Sequence, residues 1–174
     1  MRLVVAIELN DEIKDLIHLI QDDLSDQGIY GDYAWAEYLP LVDLGQHADA
    51  EKVQEALGKI RFKSFDIALN GIDYGNDSWW VDVCKNERLA TLKKQIRSTL
   101  EDEEISDTFK DVPLRISMIQ DASGEPDEIP NYVDGRKGIS MEADHLVLVK
   151  TYGMRYLDFF FDYINAKSAA DPIE

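Results

Sequence analysis

The sequence predicts a single α+β domain of two similar lobes around a central cleft, each lobe being an antiparallel sheet with helices packed on its outer face. The first observation behind this prediction is a near-continuous apolar run at residues 2–8, which is typical of a buried strand. The second is that the order strand, helix, strand occurs on both sides of the middle of the chain. The third is the length of 174 residues, which suits one domain that buries roughly 70% of its unfolded surface.

The first half of the chain has clear start and stop residues for its elements. Asn10 is a favourable N-cap, and Gly28 is a plausible end for the helix between them. A turn is expected at Gly31-Asp32, followed by a strand at about 33–44. The apolar face of the helix has the spacing of one side of an α-helix and consists of Ile13, Leu16, Ile17, Ile20 and Leu24.

The rest of the chain continues the same alternation of helices and strands. A second helix is predicted around Val53–Ile60 and a third at about 87–100, with turns at Asn70-Gly71 and Gly75-Asn76-Asp77. Residues 121–138 are rich in Asp, Glu, Pro and Gly, and predict a surface loop with one helical turn. Strands are predicted at 65–69, 79–84, 113–119, 145–151 and 155–164. The domain is therefore expected to span 1–164, with 165–174 as a frayed tail.

The charge is the unusual feature of the composition. There are 35 acidic and 18 basic residues, which gives a formal net charge of −17. An extended nucleic-acid groove normally requires a basic surface, so the charge argues against one. Solubility alone explains an acidic surface, and a small basic pocket within it is compatible with screening over about 10 Å.

The chain carries few indications of a special location or of a bound metal or cofactor. No apolar run approaches the roughly 20 residues that a membrane-spanning helix needs, so no membrane association is expected. Cys84 is the single cysteine, which fits a cytoplasmic protein without an internal disulfide. No metal and no cofactor are expected, because the acids at 121–128 lack the spacing of a calcium loop.

Two short strands hold the candidate site. The first is Tyr38–Val42, in which Tyr38 and Pro40 share a face. The second is Pro113–Met118, in which Leu114, Ile116 and Met118 form an apolar face and leave Arg115, Ser117 and Ile119 opposite. An ordinary half-buried strand is the simplest explanation of each pattern.

Several segments together resemble the 2H phosphoesterase family, which includes RNA 2′,3′-cyclic phosphodiesterases and 2′-5′ RNA ligase-like proteins. The segments are the N-terminal run Arg2–Glu8, the pair Leu44-Gly45, the residues Phe109 and Pro113, and the closing Leu146–Thr151 with Gly153 and Tyr156. The resemblance covers most of the chain and implies the two-lobed fold. It also implies a cleft that carries two His-x-Thr motifs.

The most specific residues of that family are absent here. Alignment on Leu44-Gly45 places Tyr38 at the first histidine and Pro40 at the threonine. In the second motif Arg115 stands at the histidine and Ser117 at the threonine, with a register shifted by one residue as the alternative. The resemblance implies that one histidine is a general base and the other a general acid, while the threonines hold phosphate oxygens.

These replacements remove the acid–base chemistry. Each such role contributes about 10²–10⁴ in rate. A tyrosine is a poor base at neutral pH, an arginine does not shuttle protons, and Pro40 offers neither a hydroxyl nor an N–H. The three histidines of the chain, His18, His47 and His145, lie on a helix surface, in a loop and at a strand end by prediction, and none is placed to substitute.

Three functions follow as hypotheses. In the first, catalysis is lost and the cleft binds a small nucleotide or an RNA end, with Arg115 and Ser117 on the phosphate and Tyr38 and Trp35 on the base. In the second, the fold serves as an acidic protein-interaction or scaffold module, and Arg115 pairs with a nearby acid. In the third, which is the least favoured, a rebuilt site is an active phosphodiesterase on 2′,3′-cyclic phosphate ends.

Overall fold

The computed structural model describes residues 2–33, 35–46, 48–105, 109–133 and 138–152, together with the backbone of 156–164. The predicted tail at 165–174, His47, Gly153 and the end of the acidic stretch at Asp107 lie outside the described residues. Three helices are present in the described part: α1 (Asp11–Asp26), α2 (Ala50–Gly58) and α3 (Glu87–Asp102). The strands are β1 (Arg2–Glu8), β2 (Tyr30–Asp32), β3 (Tyr38–Gly45), β4 (Phe65–Gly75), β5 (Ser78–Val83), β6 (Lys110–Asp111), β7 (Arg115–Ser123), β8 (Ser140–Ala143), β9 (Leu146–Tyr152) and β10 (Tyr156–Ile164).

The strands form two five-stranded sheets, in the orders β10-β9-β1-β3-β6 and β2-β7-β5-β4-β8. Every pairing is antiparallel. Helix α1 packs against β7 of the second sheet, whereas α3 packs against β3 of the first and also against α2. The predicted α+β fold with two sheet-and-helix lobes is confirmed.

One hydrophobic core joins the helices to one face of each sheet. Along β1 the side chains of Leu3, Val5 and Ile7 enter this core, and Val4 and Ala6 point the other way. The buried Gln21 of α1 donates a hydrogen bond to the Met118 carbonyl at 2.9 Å, which ties that helix to β7. Because the helices cover the core face of each sheet, the opposite faces are left to form the cleft.

Both ends of α1 follow the predicted residues, Asn10 and Gly28, and a second asparagine, Asn86, was not predicted as a cap. The Asn10 side chain accepts a hydrogen bond from the Ile13 N–H at 2.9 Å, as an N-cap does. Asn86 caps α3 in the same way through the Leu89 N–H at 3.2 Å. Gly28, with φ of +87°, follows the end of α1 as predicted.

Of the three turns predicted at glycine residues, the structure contains the one at Gly75-Asn76-Asp77. Asn76 and Asp77 have φ of 48° and 59° and form a two-residue hairpin turn between β4 and β5. The turn predicted at Asn70-Gly71 is wrong, since β4 continues through it with a register shift between Leu69 and Gly71. The glycine there accommodates a bulge within the strand.

The turn predicted at Gly31-Asp32 is also wrong, because these residues belong to β2. A Cβ atom on Gly31 would lie 2.5 Å from the Gln120 carbonyl oxygen and 2.6 Å from Ile119 Cγ2. The glycine therefore permits close approach of β2 to β7 and does not mark a turn. The strand predicted at 33–44 begins later, at Tyr38.

The predicted loop at 121–138 is shorter than expected. Its first residues extend β7 to Ser123, and its described remainder contains no helical turn. This remainder is anchored at the C-terminal end of α1, since the Glu128 N–H donates to Oε1 of Gln27, the residue after the helix, at 3.0 Å. A hydrogen bond from the Tyr132 hydroxyl to Asp23, together with the carboxylate charge, raises the pKa of Tyr132.

The Asn10 cap yields a stability prediction. Replacing Asn10 with Ala leaves the N-terminal N–H groups of α1 without this acceptor, so we expect a loss of about 1 kcal/mol in the free energy of unfolding. Urea denaturation followed by circular dichroism measures it. Asn70→Ala, at an exposed asparagine outside any helix, is the control. Equal denaturation midpoints for the two variants would contradict the capping role.

Candidate functional site

A cleft of about 410 Å³ lies between the uncovered faces of the two sheets. This volume is within the usual range of small-molecule sites. Trp35, Val112 and Pro113 line its rim from the connecting segments. The first sheet contributes Arg2, Val4, Pro40, Asp43 and Thr151, and the second contributes Ser78, Trp80, Arg115, Ser117, Gln120 and Asp121.

Strand alternation along β7 presents Arg115 and Ser117 to this cleft. Ile116 and Met118 between and after them are fully buried in the core. The prediction that Ile119 lies on the Arg115 face is wrong, because Ile119 is also fully buried. A register shift relative to β5 at this point places two successive residues in the core and returns Gln120 to the cleft.

Arg115 is held against an aromatic ring. Its guanidinium carbon lies 3.9 Å from the centroid of the Trp80 ring on the neighbouring strand β5. The Trp80 ring is in turn fixed by its indole N–H, which donates to Asp82 Oδ1 at 3.0 Å. Among the described residues, no carboxylate forms an ion pair with Arg115. The guanidinium N–H groups are therefore available to an anion in the cleft.

Ser117 lies beside Arg115 and is oriented by a neighbour. The Gln120 side-chain amide donates a hydrogen bond to Ser117 Oγ at 3.1 Å. A serine hydroxyl can accept and donate at the same time, so its own proton remains to donate to a ligand oxygen. Arg115 and Ser117 together form a charged and a neutral donor on one wall.

The opposite wall carries a closed ion pair. The Arg2 guanidinium contacts Asp43 twice, with Nε to Oδ1 at 3.0 Å and a terminal nitrogen to Oδ2 at 2.9 Å. Asp43 also accepts the Gly45 N–H at 2.9 Å. Because Asp43 offsets the charge of Arg2, the cation of this cleft that has no such partner among the described residues is Arg115.

Tyr38 is placed differently from the other candidate residues. It is 1% exposed and does not line the cleft. Its side chain packs with Ala6, Val147 and Val149 in a small separate cluster. The Trp35 ring meets it edge-on at 6.3 Å between centroids, with an interplanar angle of 82°. Trp35 therefore lines the cleft and contacts Tyr38, which is not among the lining residues.

The structure therefore brings four of the five singled-out residues, Trp35, Pro40, Arg115 and Ser117, to one cleft and leaves Tyr38 beneath it. Sequence reasoning missed Arg2, Asp43, Trp80 and Gln120 as lining residues. The alternation of β5 indicates which tryptophan shares a face with Asp82. No local pattern shows that β5 pairs with β7, so Trp80 could not be linked to Arg115.

No histidine occurs among the described residues that line the cleft. His18 is exposed on α1, and His145 precedes β9, where it contacts Asp144 at 2.7 Å. His47 is outside the described residues. Within the described ranges no group of three metal-ligating side chains comes together, and no helix has the length and apolar character to cross a membrane.

Solved structures share this architecture. The chain superposes on TT0787 of Thermus thermophilus with a TM-score of 0.73 and 17% identity, covering 97% of this chain and 100% of that one. For E. coli LigT in its apo form the TM-score is 0.67 at 23% identity, with 95% and 94% covered. For a protein described as a phosphoesterase the TM-score is 0.66 at 20% identity, with 94% and 98% covered.

These likenesses establish the fold, which is the one expected from the resemblance to the 2H phosphoesterases. No protein-family model matches the sequence, and no curated protein matches it. E. coli LigT has also been solved in complexes with 3′-AMP, NADP⁺, ATP and phosphate. Those ligands belong to LigT.

The Arg2–Asp43 pair yields a second stability prediction. Asp43→Asn removes the charge opposite Arg2 and one of two charge-assisted contacts. Since the pair is partly exposed, we expect the free energy of unfolding to fall by about 1–2 kcal/mol in urea titrations. Asp127→Asn, in an exposed loop, changes the net charge equally and is the control.

A double-mutant cycle isolates the interaction. In an Arg2→Met background the Asp43→Asn change should cost clearly less, because its partner is already gone. The same loss in both backgrounds would show that Asp43 acts through its Gly45 contact and not through Arg2.

Proposed function

We propose that this chain binds a small nucleotide or the end of an RNA strand in the cleft and does not hydrolyse 2′,3′-cyclic phosphate. The observation that carries the proposal is the position of Arg115 and its lack of an ion pair with a described carboxylate. It is stacked on Trp80 and has no ion-pair partner among the described carboxylates, and it lines a cleft of suitable volume in the fold shared with LigT.

The recognition we propose starts from the phosphate. The guanidinium of Arg115 provides two parallel donors that match phosphate oxygens, and the hydroxyl of Ser117 adds a third. Trp35 on the rim offers an aromatic face to the base. Tyr38, which the sequence suggests as a further base contact, is proposed instead to support Trp35 from below.

The absence of turnover is proposed on chemical grounds. Hydrolysis requires a group that accepts a proton from water and one that donates a proton to the leaving oxygen. Neither Pro40 nor Arg115 performs either role, and the phenol of Tyr38 is buried away from the cleft. The described lining contains two carboxylates, Asp43 and Asp121, and Arg2 engages Asp43. The one that remains, Asp121, does not supply both the base and the acid.

A second candidate function has one observation in its favour, which is the net charge of −17. Under it the fold is an acidic interaction module, and association with a basic protein partner weakens as salt is added. The stacking of Arg115 on Trp80 favours the nucleotide proposal. An interaction surface on the outside of the protein would not require an arginine stacked inside the cleft.

Binding is tested by nucleotide titration. Trp35 and Trp80 both line the cleft, so intrinsic fluorescence should respond to a nucleoside 3′-monophosphate or 2′,3′-cyclic phosphate in a saturable way. Arg115→Ala should weaken binding by about tenfold or more, since a charge-assisted contact of roughly 1.5–3 kcal/mol is lost. Arg97→Ala, a cation on α3 away from the cleft, is the control. Saturation with equal affinity in the two variants would remove Arg115 from the proposal.

Turnover is tested separately on an oligoribonucleotide that ends in a 2′,3′-cyclic phosphate. We expect no product above the uncatalysed rate from the natural protein, because the acid–base groups are missing. Product formation that Arg115→Ala abolishes would overturn this and make β7 part of a rebuilt active site. Nucleotide binding without turnover supports the proposal. The absence of both binding and turnover would favour the interaction module.

A further inference from the structure

A second cavity of about 410 Å³ lies outside the cleft, where the segment after α2 meets the start of β4 and the first half of α3. We name it the Arg61 pocket. The lining residues that matter for its chemistry are Arg61, Phe62, Lys63, Phe65, Arg88 and Gln95. None of them lines the cleft.

The Arg61 pocket concentrates positive charge on an acidic chain. Arg61, Lys63 and Arg88 converge on it, and Glu87 is the one carboxylate among its described lining residues. None of the three cations forms an ion pair with a described carboxylate. The chain as a whole has 35 acidic and 18 basic residues. Three neighbouring cations without an ion pair to a described carboxylate therefore create a local positive potential.

Two hydrogen bonds and a ring contact hold the chain segment around Arg61 in place. The Arg61 guanidinium donates to the Gly58 carbonyl at 3.0 Å, and the Gln95 amide donates to the Arg61 carbonyl at 3.1 Å. The Phe62 and Phe65 rings meet edge-on at 6.0 Å between centroids and pack against the core. Arg88 stands in the first turn of the 16-residue helix α3, where the helix dipole adds positive potential.

We propose that the Arg61 pocket is a second binding site and that its ligand is a phosphate monoester. Such a group carries a charge of about −1.5 to −2 near pH 7. The three cations and Glu87 of the pocket sum to two positive charges, which a phosphate monoester balances better than a ligand with one carboxylate does. Its oxygens can accept from the Arg88 guanidinium, from the Arg61 N–H groups that do not contact Gly58 and from the Lys63 ammonium. The partly buried rings of Phe62 and Phe65 supply an apolar side for whatever carries the phosphate.

The test is a titration of ¹⁵N-labelled protein with inorganic phosphate and, separately, with a nucleoside 5′-monophosphate. Saturable shifts of the backbone amides of Arg61, Lys63 and Arg88 are expected with at least one of the two probes. Saturation by inorganic phosphate shows that the anion is sufficient. Saturation by the nucleotide alone shows that the ring-bearing part is also required, and either result supports the site.

Matched variants separate the site from general charge effects. Arg61→Ala combined with Arg88→Ala should weaken binding by about tenfold or more, because two charge-assisted contacts are lost. Lys52→Ala combined with Arg97→Ala removes the same charge from exposed or half-exposed positions outside the pocket, and binding should stay unchanged. Lys63→Glu, at an exposed side chain, should also weaken binding if the paired variant fails to fold.

The result is independent of the proposed cleft function, since Arg115→Ala should leave the shifts at Arg61, Lys63 and Arg88 intact. Shifts that grow linearly with added phosphate, or that chloride reproduces at equal ionic strength, would overturn the site. Binding of a glutamate-rich peptide to the same amides without any response to phosphate would overturn the phosphate assignment and indicate a protein partner.

Discussion

Alternation of side chains along the central strands is the constraint on which the rest of this structure depends. In β1 and β7, every second residue enters the shared core, and the residue between them faces the cleft. The core face must be covered by helices, so the remaining face is the surface free to carry a ligand. Arg115 faces the cleft because Ile116, its neighbour in sequence, points to the other side of β7 and is fully buried there.

Departures from alternation shape the cleft in detail. The bulge at Met118 and Ile119 buries two consecutive residues and brings Gln120 back to the cleft, where it orients Ser117. On the other sheet, register shifts between β1 and β3 set Asp43 beside Val4, close enough to clamp Arg2. The Gln120–Ser117 contact and the Arg2–Asp43 pair therefore both depend on a register shift. In strictly regular strands, Gln120 and Asp43 would point to the core face and not to the cleft.

Sequence patterns predicted the helices, the long strands and the tight turn between β4 and β5, and missed the short strands that form only through pairing. The caps at Asn10 and the hairpin turn at Asn76-Asp77 were predictable because the residues that define them are adjacent in the chain. The short strands β2, β6 and β8 were not, because two to four residues become strands only when a partner strand lies beside them. The same reason explains why Arg115 and Ser117 were found and Trp80 was not. The burial of Tyr38 depends on Val147 and Val149, which are more than 100 residues away along the chain.

Charge in this protein acts locally, which reconciles its acidic composition with the proposed anion sites. Screening confines each charge to about 10 Å at 0.1 M salt, so a net charge of −17 spread over the surface contributes less at a site than the nearest few groups. In the cleft, Asp43 offsets Arg2 and leaves Arg115 as the effective cation. At the Arg61 pocket, three cations face one carboxylate. Under these two proposals, the acidic surface would disfavour a long polyanion that crosses it, whereas a small phosphate that contacts only one site would still bind. Selectivity for small anions over extended strands would follow from this distribution of charge.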